Sequence, residues 1–484
     1  MTILDINCEV LLIHPPLDYK VVEIVLFPEI PLGLTCLASY LESKGITSAI
    51  LDMQLYPNPY SPLIEVLSKR RPRIVGITSY SPTINKSYEA AKAVKEFDPQ
   101  IIIIIGGLHA SALPQEVLET CSFIDYLVYG EGELTLYELA YNLIHNQDTQ
   151  NLKGTAIRQD GRIKLNPPRE LIADLDSLPF PAREKLELTR YHPNPYDYLR
   201  LPTTTMFTTR GCPFHCTFCS THHIWGSSVR FMSARRVFTE VQYCMESYNI
   251  HDFYFGDDTF TLSKSRVTEL CNLFIENRLG ISWCCLTRVD TVDYELLCLM
   301  KEAGCFYIKY GIEAGTESSL RLINKGTTLQ QAKDAIYWTK KAGIECQGAF
   351  ILGIPGESIR DAQETIAFAK VLNPDVAIFS ICRPYPGSKM YNDLKTNNKT
   401  HTFSHWEKLR DSKKYEPKLI AELSRKNPFY KLVRRAHFSF YLSPVWIIQK
   451  IKRFFKNPRR EINKFCSGLQ EFLERVRVRV RVRE

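Results

Sequence analysis

From residue 8 to about 145, short apolar runs alternate with longer stretches in which apolar residues recur every three or four positions. That is the order of βαβ units on a parallel sheet. Strands are expected at 9–13, 49–52, 74–79, 101–105 and 126–128, with helices such as 33–44 and 85–96 between them. The fold expected is a doubly wound, Rossmann-like α/β domain. A second alternation follows residue 200, with strands at 252–255, 282–286, 306–310, 348–352 and 376–381. Its pattern is that of a partial (β/α)6 barrel of TIM type, in which chemistry sits at the carboxyl ends of the strands. The predicted organisation is therefore 1–145, a linker at 146–200, the barrel at 201–395, and a helical, basic C-terminal region at 396–484.

A chain of 484 residues exceeds what one core usually organises, and 45% apolar with 24% charged residues is an ordinary globular composition. The opening MTILDINCEV has no basic stretch before an apolar run, so it does not read as a signal peptide. The 15 cysteines are then expected to be reduced thiols in a cytoplasmic setting. No apolar run approaches the length of a membrane span. The net charge of +8 is uneven: from Arg425 onward 17 Lys and Arg stand against 4 Asp and Glu. An anionic partner would bind there.

Chemistry-bearing residues gather where the pattern places strand ends. In the first domain these are His14-Pro15-Pro16, Thr78-Ser79-Tyr80-Ser81, Gly106-Gly107-Leu108-His109-Ala110 and Tyr129-Gly130-Glu131-Gly132-Glu133. Loops beyond the carboxyl ends of an open α/β sheet form its ligand crevice, and glycines let a ligand approach the backbone. The plain alternative is that Gly-Gly merely ends a strand. Ahead of the barrel, Arg210-Gly211-Cys212-Pro213-Phe214-His215-Cys216-Thr217-Phe218-Cys219 contains Cys-x3-Cys-x2-Cys. Closely spaced thiolates of this kind hold iron–sulfur clusters, and three leave a fourth iron open. The competing reading is zinc, completed by His215, His222 or His223. Cys284-Cys285, with no partner motif, reads as core.

The three-cysteine motif resembles that of the radical S-adenosylmethionine (SAM) superfamily, and the first domain resembles the cobalamin (B12)-binding domain that precedes it in one large subgroup. Pro31-Leu32-Gly33-Leu34 and Gly106-Gly107-Leu108-His109-Ala110 carry the second likeness. The resemblance implies a [4Fe–4S] cluster on Cys212, Cys216 and Cys219, with SAM on its open iron and reductive cleavage to a 5′-deoxyadenosyl radical. For SAM it implies contacts by Phe218, Asp257, Asp258, Arg288, Glu313, Gly353 and Pro355. Pro384-Tyr385-Pro386-Gly387-Ser388 closes the barrel in the same manner. Ala314 departs from the family's Gly-Ile-Glu-Ser-Gly element, so a hydroxyl is missing there. For cobalamin it implies contacts by Pro16, Thr78, Ser79, Gly106, Gly107, His109, Gly130 and Glu131. The Asp-x-His-x-x-Gly signature is absent, so cobalamin is expected without a protein histidine as lower ligand.

The function implied is a B12-dependent radical SAM enzyme, with methyl transfer to an unactivated carbon leading. Alternatives are a radical SAM cyclase or oxidoreductase without methyl transfer, and a non-catalytic cobalamin or iron–sulfur sensor. A reductant such as flavodoxin or ferredoxin is implied, with a small-molecule or lipid-like substrate. Residues 428–460 mix aromatic, aliphatic and basic side chains, as in a helix lying in a membrane interface or one packed on the barrel with its basic side in water. Peripheral membrane contact is one expectation, and nucleic-acid binding is set aside, since a basic patch alone is no recognition fold. The closing Arg-Val repeat at 475–483 is expected to be disordered.

Overall fold

Five aliphatic runs near the start of the chain become β1 (Val10–His14), β2 (Ser48–Asp52), β3 (Ile74–Thr78), β4 (Ile102–Gly106) and β5 (Tyr126–Val128). In this computed structural model, which describes residues 8–17, 28–396, 408, 412, 414–456, 458 and 461–462, they form a parallel sheet in the order β2-β1-β3-β4-β5. Successive side chains of a strand face opposite sides, so a strand covered on both faces must be apolar throughout. Leu11 and Ile13 lie under helices Tyr60–Arg70, Ile84–Phe97 and Pro114–Thr120, while Val10 and Leu12 lie under Leu32–Ser43 and Gly132–Ile144. Connections leave β1 toward opposite edges of the sheet, so the topological switch point lies between β1 and β3.

The segment expected as a linker is partly sheet. β6 (Thr155–Gln159) and β7 (Arg162–Leu165) form a hairpin that continues the first sheet antiparallel beyond β5. The remainder is packed between the two units. Arg183 is fully buried, 2.8 Å from Glu240 and donating from Nε to Thr204 Oγ1 at 3.0 Å, while Lys185 Nζ donates to Ser48 O at 3.0 Å. The apolar residues here follow no strand or helix period, and the ordering comes from Leu175 and Leu178 set into the barrel core, Ala182, Leu186 and Tyr191 set into the first-sheet core, and these charge pairs distant in sequence.

The second sheet contains β8 (Thr203–Met206), β11 (Asp252–Phe255), β12 (Ser282–Thr287), β13 (Cys305–Glu313), β14 (Glu345–Leu352) and β15 (Val376–Ile381), with a two-residue ribbon, β9 (Thr209–Arg210) and β10 (Arg230–Phe231), between β8 and β11. The six long strands are all parallel, in the order β15-β14-β13-β12-β11-β8, the open (β/α)6 half-barrel expected. Its outer face packs Phe253, Phe255, Trp283, Ile308, Phe350 and Phe379 under the helices. Cys285 belongs to that core, and Cys284 is buried with Tyr307 on the other face.

After the barrel the chain doubles back. Tyr391 and Leu394 from Lys389–Lys395, Tyr415, and Ile420 and Leu423 from Pro417–Lys426 complete the core of the first sheet. Helix Phe429–Tyr441 then returns to the barrel, setting Phe429, Ala436 and Phe440 into its core beside Phe379. Among the described residues no helix is long and apolar enough to cross a membrane. The Arg-Val repeat at 475–483 lies outside them.

Candidate active site

The cysteine loop is held at its base before it is held anywhere else. Arg210 pairs with Arg230 across the β9–β10 ribbon, bracketing residues 211–229. Gly211 has φ +94°, and a Cβ there would meet Ser228 O at 2.3 Å, so only glycine lets the chain turn out of the ribbon. Asp257, wholly buried, accepts from the amides of Thr208 and Thr209 at 2.6 and 2.7 Å and from Thr208 Oγ1 at 2.6 Å. Asp257, expected among the SAM contacts, has its lone pairs on the strand entering the loop, which they fix. Asp258, its neighbour, is only partly buried, accepts from Thr221 Oγ1 at 3.2 Å, and has its carboxyl pushed up to about 6, chiefly by burial. Of the two carboxylates, it is the less buried.

Within the loop, Cys219 N donates to Cys216 O at 3.1 Å, and Thr217 N donates to Ile323 O at 2.9 Å. Cys219 is exposed; Cys212 and Cys216 are half-buried. Burial raises the Cys216 thiol, while Lys325 and Arg288 pull it down. Arg288 Nη1 lies 4.0 Å from Cys216 Sγ, and its guanidinium stacks 3.5 Å from the Phe214 ring centroid. Cations beside thiols suit an anionic, thiolate-bound cluster. Among the described residues no three His, Cys, Asp or Glu are grouped as ligands of one metal ion, the three loop cysteines included.

Arg288 is likewise engaged within the protein. It was expected to pair with the SAM carboxylate, but its guanidinium is bound to both oxygens of Asp290, at 2.9 and 2.8 Å, and donates to Lys325 O at 3.0 Å. Glu313 sits at φ +69° where the register of β13 against β14 shifts, and its Oε1 is 2.9 Å from Lys325 Nζ. Gly311 makes room for that pair, since a Cβ would fall 2.5 Å from Glu313 Oε1. Lys325 was missed: a lone lysine in a turn has no spacing signal. Gly353, at φ +79°, faces Phe429 of the returning helix, where a Cβ would meet Phe429 Cγ at 3.1 Å, so its smallness serves packing. Glu357, also missed, accepts from Gly353 N at 2.6 Å and Ile354 N at 3.2 Å, shaping the turn through Pro355. Phe218 packs against the small cluster of Ala314, Ile354 and Met390, which brings it to the same strand ends.

The first sheet's strand-end loops are joined by neutral groups. Ser79 Oγ donates to Gly106 O at 2.7 Å and accepts from Ala110 N at 3.2 Å, and Gly130 N donates to Ser111 Oγ at 3.1 Å. Gly107, at φ +94°, lies so flush that a Cβ would sit 2.8 Å from Ser79 N, Ser79 O and Thr78 Oγ1. Gly130 has open space where a Cβ would be, a cradle that fits a ligand approaching backbone. Pro16 is buried behind the end of β1, beside His14, which lies 3.2 Å from Asp52. Two residues expected at cobalamin, His109 and Glu131, have partners within the protein. His109 is buried, hydrogen-bonded through Nδ1 to Ser81 Oγ at 3.0 Å and covered by the Tyr415 ring at 5.1 Å. Burial pushes its pKa down to about 3, so it is a neutral core residue. Glu131 is buried between Arg210, at 3.0 Å, and Arg230, at 2.8 Å, and accepts from Ile172 N at 2.7 Å. With Glu133, which also pairs with Arg210, it clamps the first domain to the base of the cysteine loop.

The two sets of strand ends face each other. Helix Leu108–Ala112 of the first domain touches the short helix His222–Trp225 that ends the cysteine loop. A Cβ on Gly387 would lie 2.7 Å from His223 and 3.2 Å from Ala112, so the Pro384–Ser388 turn lies against both. A three-cysteine loop on a half-barrel, opposed by a doubly wound ligand-binding sheet, defines a two-domain iron–sulfur enzyme. The family comparisons agree. Residues 206–369 match the family model for the radical SAM superfamily, and residues 20–140 match the B12 binding domain. An uncharacterized methyltransferase of Pyrococcus horikoshii is 33% identical over 92% of this chain and 94% of its own length. An anaerobic magnesium-protoporphyrin IX monomethyl ester cyclase of Rubrivivax gelatinosus is 30% identical over 75% of this chain and 66% of its own. Among solved structures, the radical S-adenosylmethionine methyltransferase TsrM of Kitasatospora setae shares the fold at TM-score 0.66 and 20% identity, over 81% of this chain and 75% of that one. The chain belongs to the radical SAM superfamily, in the branch that carries a B12-binding domain.

Proposed function

We propose that the protein is a cobalamin-dependent radical SAM methyltransferase that methylates an unactivated carbon of a small, lipid-like molecule. The observation that supports this best is the opposition of the two strand-end sites, joined by the Glu131–Arg210 clamp and by the contact between Leu108–Ala112 and His222–Trp225. In this reading Cys212, Cys216 and Cys219 hold a [4Fe–4S] cluster, with Arg288 and Lys325 balancing its charge. Asp258 receives the SAM ammonium, Phe218 and the Ile354–Pro355 turn flank the adenine, and the Glu313–Lys325 pair offers hydrogen bonds to the ribose or carboxylate. Thr78, Gly106, Gly107 and Gly130 line the cobalamin site with backbone and small groups, with no histidine reaching the metal. When bound, the cluster and SAM supply a hydrogen-abstracting radical and cobalamin supplies the methyl carrier. The electron comes from a small reductant such as flavodoxin or ferredoxin. The same proposal places this chemistry in the cytoplasm at the membrane periphery, through the C-terminal helices.

The test is anaerobic reconstitution with iron, sulfide and cobalamin, followed by assay with SAM, reductant and candidate lipids. S-adenosylhomocysteine together with 5′-deoxyadenosine is the expected outcome, since each methylation consumes SAM in two ways. Ring closure is a second reading, favoured by the likeness to the Rubrivivax cyclase. It predicts 5′-deoxyadenosine without S-adenosylhomocysteine. SAM bound and never cleaved would return the non-catalytic sensor.

A further inference from the structure

Helix Pro444–Lys456 is built inside out. Apart from the exposed Lys452, its described polar side chains face the protein: Trp446 Nε1 donates to Asp375 O at 3.1 Å, Gln449 Nε2 donates to Asp375 Oδ1, and Arg453 lies 2.6 Å from Asp375 and 3.4 Å from Glu345. Lys450 is turned in as well, 3.3 Å from Glu461 and 5.6 Å from the centre of the Tyr196 ring. The residues left outward are Val445, Ile447, Ile448, Ile451, Phe454 and Phe455, continued by Phe438 and Leu442 at the end of the preceding helix. Phe455 is 78% exposed, Leu442 69%, Phe438 64% and Val445 61%. A helix on a water-facing surface has the reverse arrangement.

Along the two helices themselves the exposed charge beside this apolar face is of one sign. Lys431, Arg434, Arg435 and Lys452 are exposed beside it, and no Asp or Glu occurs from 425 to 460. Two copies meeting through this face would bring those cations together, which opposes a dimer. An anionic bilayer answers both features, because aliphatic and aromatic side chains enter the headgroup boundary while Lys and Arg pair with lipid phosphates. The anchoring contacts also fix the orientation. Asp375 immediately precedes β15 and Glu345 opens β14, so the helix lies across the amino ends of the barrel strands, opposite the cysteine loop.

We propose that the outward face of Pro444–Lys456 and the end of Phe429–Tyr441 form a docking surface for an anionic lipid bilayer. The membrane then lies under the amino ends of the barrel strands, and the strand-end site opens to water, where SAM and a soluble reductant arrive. This rests on the peripheral placement proposed above and gives it a surface, a lipid charge and an orientation.

The experiment is co-sedimentation of the full chain with vesicles of phosphatidylcholine containing one third phosphatidylglycerol, and with phosphatidylcholine alone. Binding to the first and little to the second is expected. Ile448→Glu with Phe455→Glu should weaken binding at least about tenfold. Phe97→Glu, an exposed apolar site in the first domain, should leave it unchanged. No binding by the wild-type chain would overturn both the surface and the peripheral placement, while leaving the methyl-transfer reading to its own assay. Undiminished binding of the double variant, with loss on removing residues 463–484, would keep the peripheral placement and overturn this surface. Sedimentation velocity without lipid should give a monomer; a dimer dissociated by the double variant would assign the face to a second copy instead.

Discussion

The two sets of strand ends that face each other are held together by opposite means. On the first sheet the loops are joined by Ser79, Ser111 and the flush backbone at Gly107, all neutral. On the barrel the loops are joined by buried charge: Asp257 on two amides, Arg288 on Asp290, and Lys325 on Glu313. The difference teaches what each surface is built to meet. A cluster and a sulfonium carry charge and need compensating groups held without slack, since a buried charge is costly unless paired. A large macrocycle asks for close approach of backbone, and glycine with short hydroxyls provides it.

The largest effect that would break this comparison lies on the charged side. Cys216→Ala should abolish the cluster: iron content and 5′-deoxyadenosine formation should fall at least about a hundredfold, while cobalamin retention is unchanged. If cobalamin is lost too, the two sites are not separately built. Next is Lys325→Met, which strands Glu313 as a buried, unpaired carboxylate. A loss of about 3 kcal/mol in denaturant unfolding is expected, with most of it recovered in Lys325→Met combined with Glu313→Gln. On the neutral side, Gly107→Ala should cost about 2 kcal/mol and weaken cobalamin retention while iron is kept, because the new methyl meets Ser79 backbone. Gly130→Ala, with open space around it, should cost only about 1 kcal/mol of backbone strain.

The last effect is a pH slope. Burial raises the Glu357 carboxyl to about 7 from its ordinary 4.5, so the folded chain keeps this proton where the unfolded chain has lost it. Stability from this group is full below pH 4.5 and is lost as pH rises through 7. Glu357→Gln should flatten the fall in stability between pH 5 and 8 by about 2 kcal/mol, read from unfolding at a series of pH values. An unchanged slope would assign the pH dependence elsewhere.

Periodicity made both sheets legible: β5, β11 and β15 fall where the pattern placed them, and the other expected strands shift, shorten or lengthen by a few residues. The cysteine spacing made the cluster loop legible. Much of what escaped has one physical character. Glu131 looked like a ligand because a glutamate in a glycine loop has no local partner, and its arginine lies 79 positions on. Asp257 is a like case, with Thr208 lying 49 positions back, whereas the Asp290 that holds Arg288 is two positions on, a local pair. The hairpin Thr155–Leu165 was missed because it is short, polar and at a sheet edge, where only one face needs apolar residues.

The doubling back of the chain bears on how it is made. The first sheet lacks Tyr391, Leu394, Tyr415, Ile420 and Leu423 until all of these have been synthesised. A nascent chain carrying only the first 200 residues leaves that core open along the helices of one face. Domains of most long proteins mature in the order in which they leave the ribosome. Here the earliest domain to emerge is closed only by residues that follow the barrel strands, and the barrel core in turn waits for Phe429, Ala436 and Phe440.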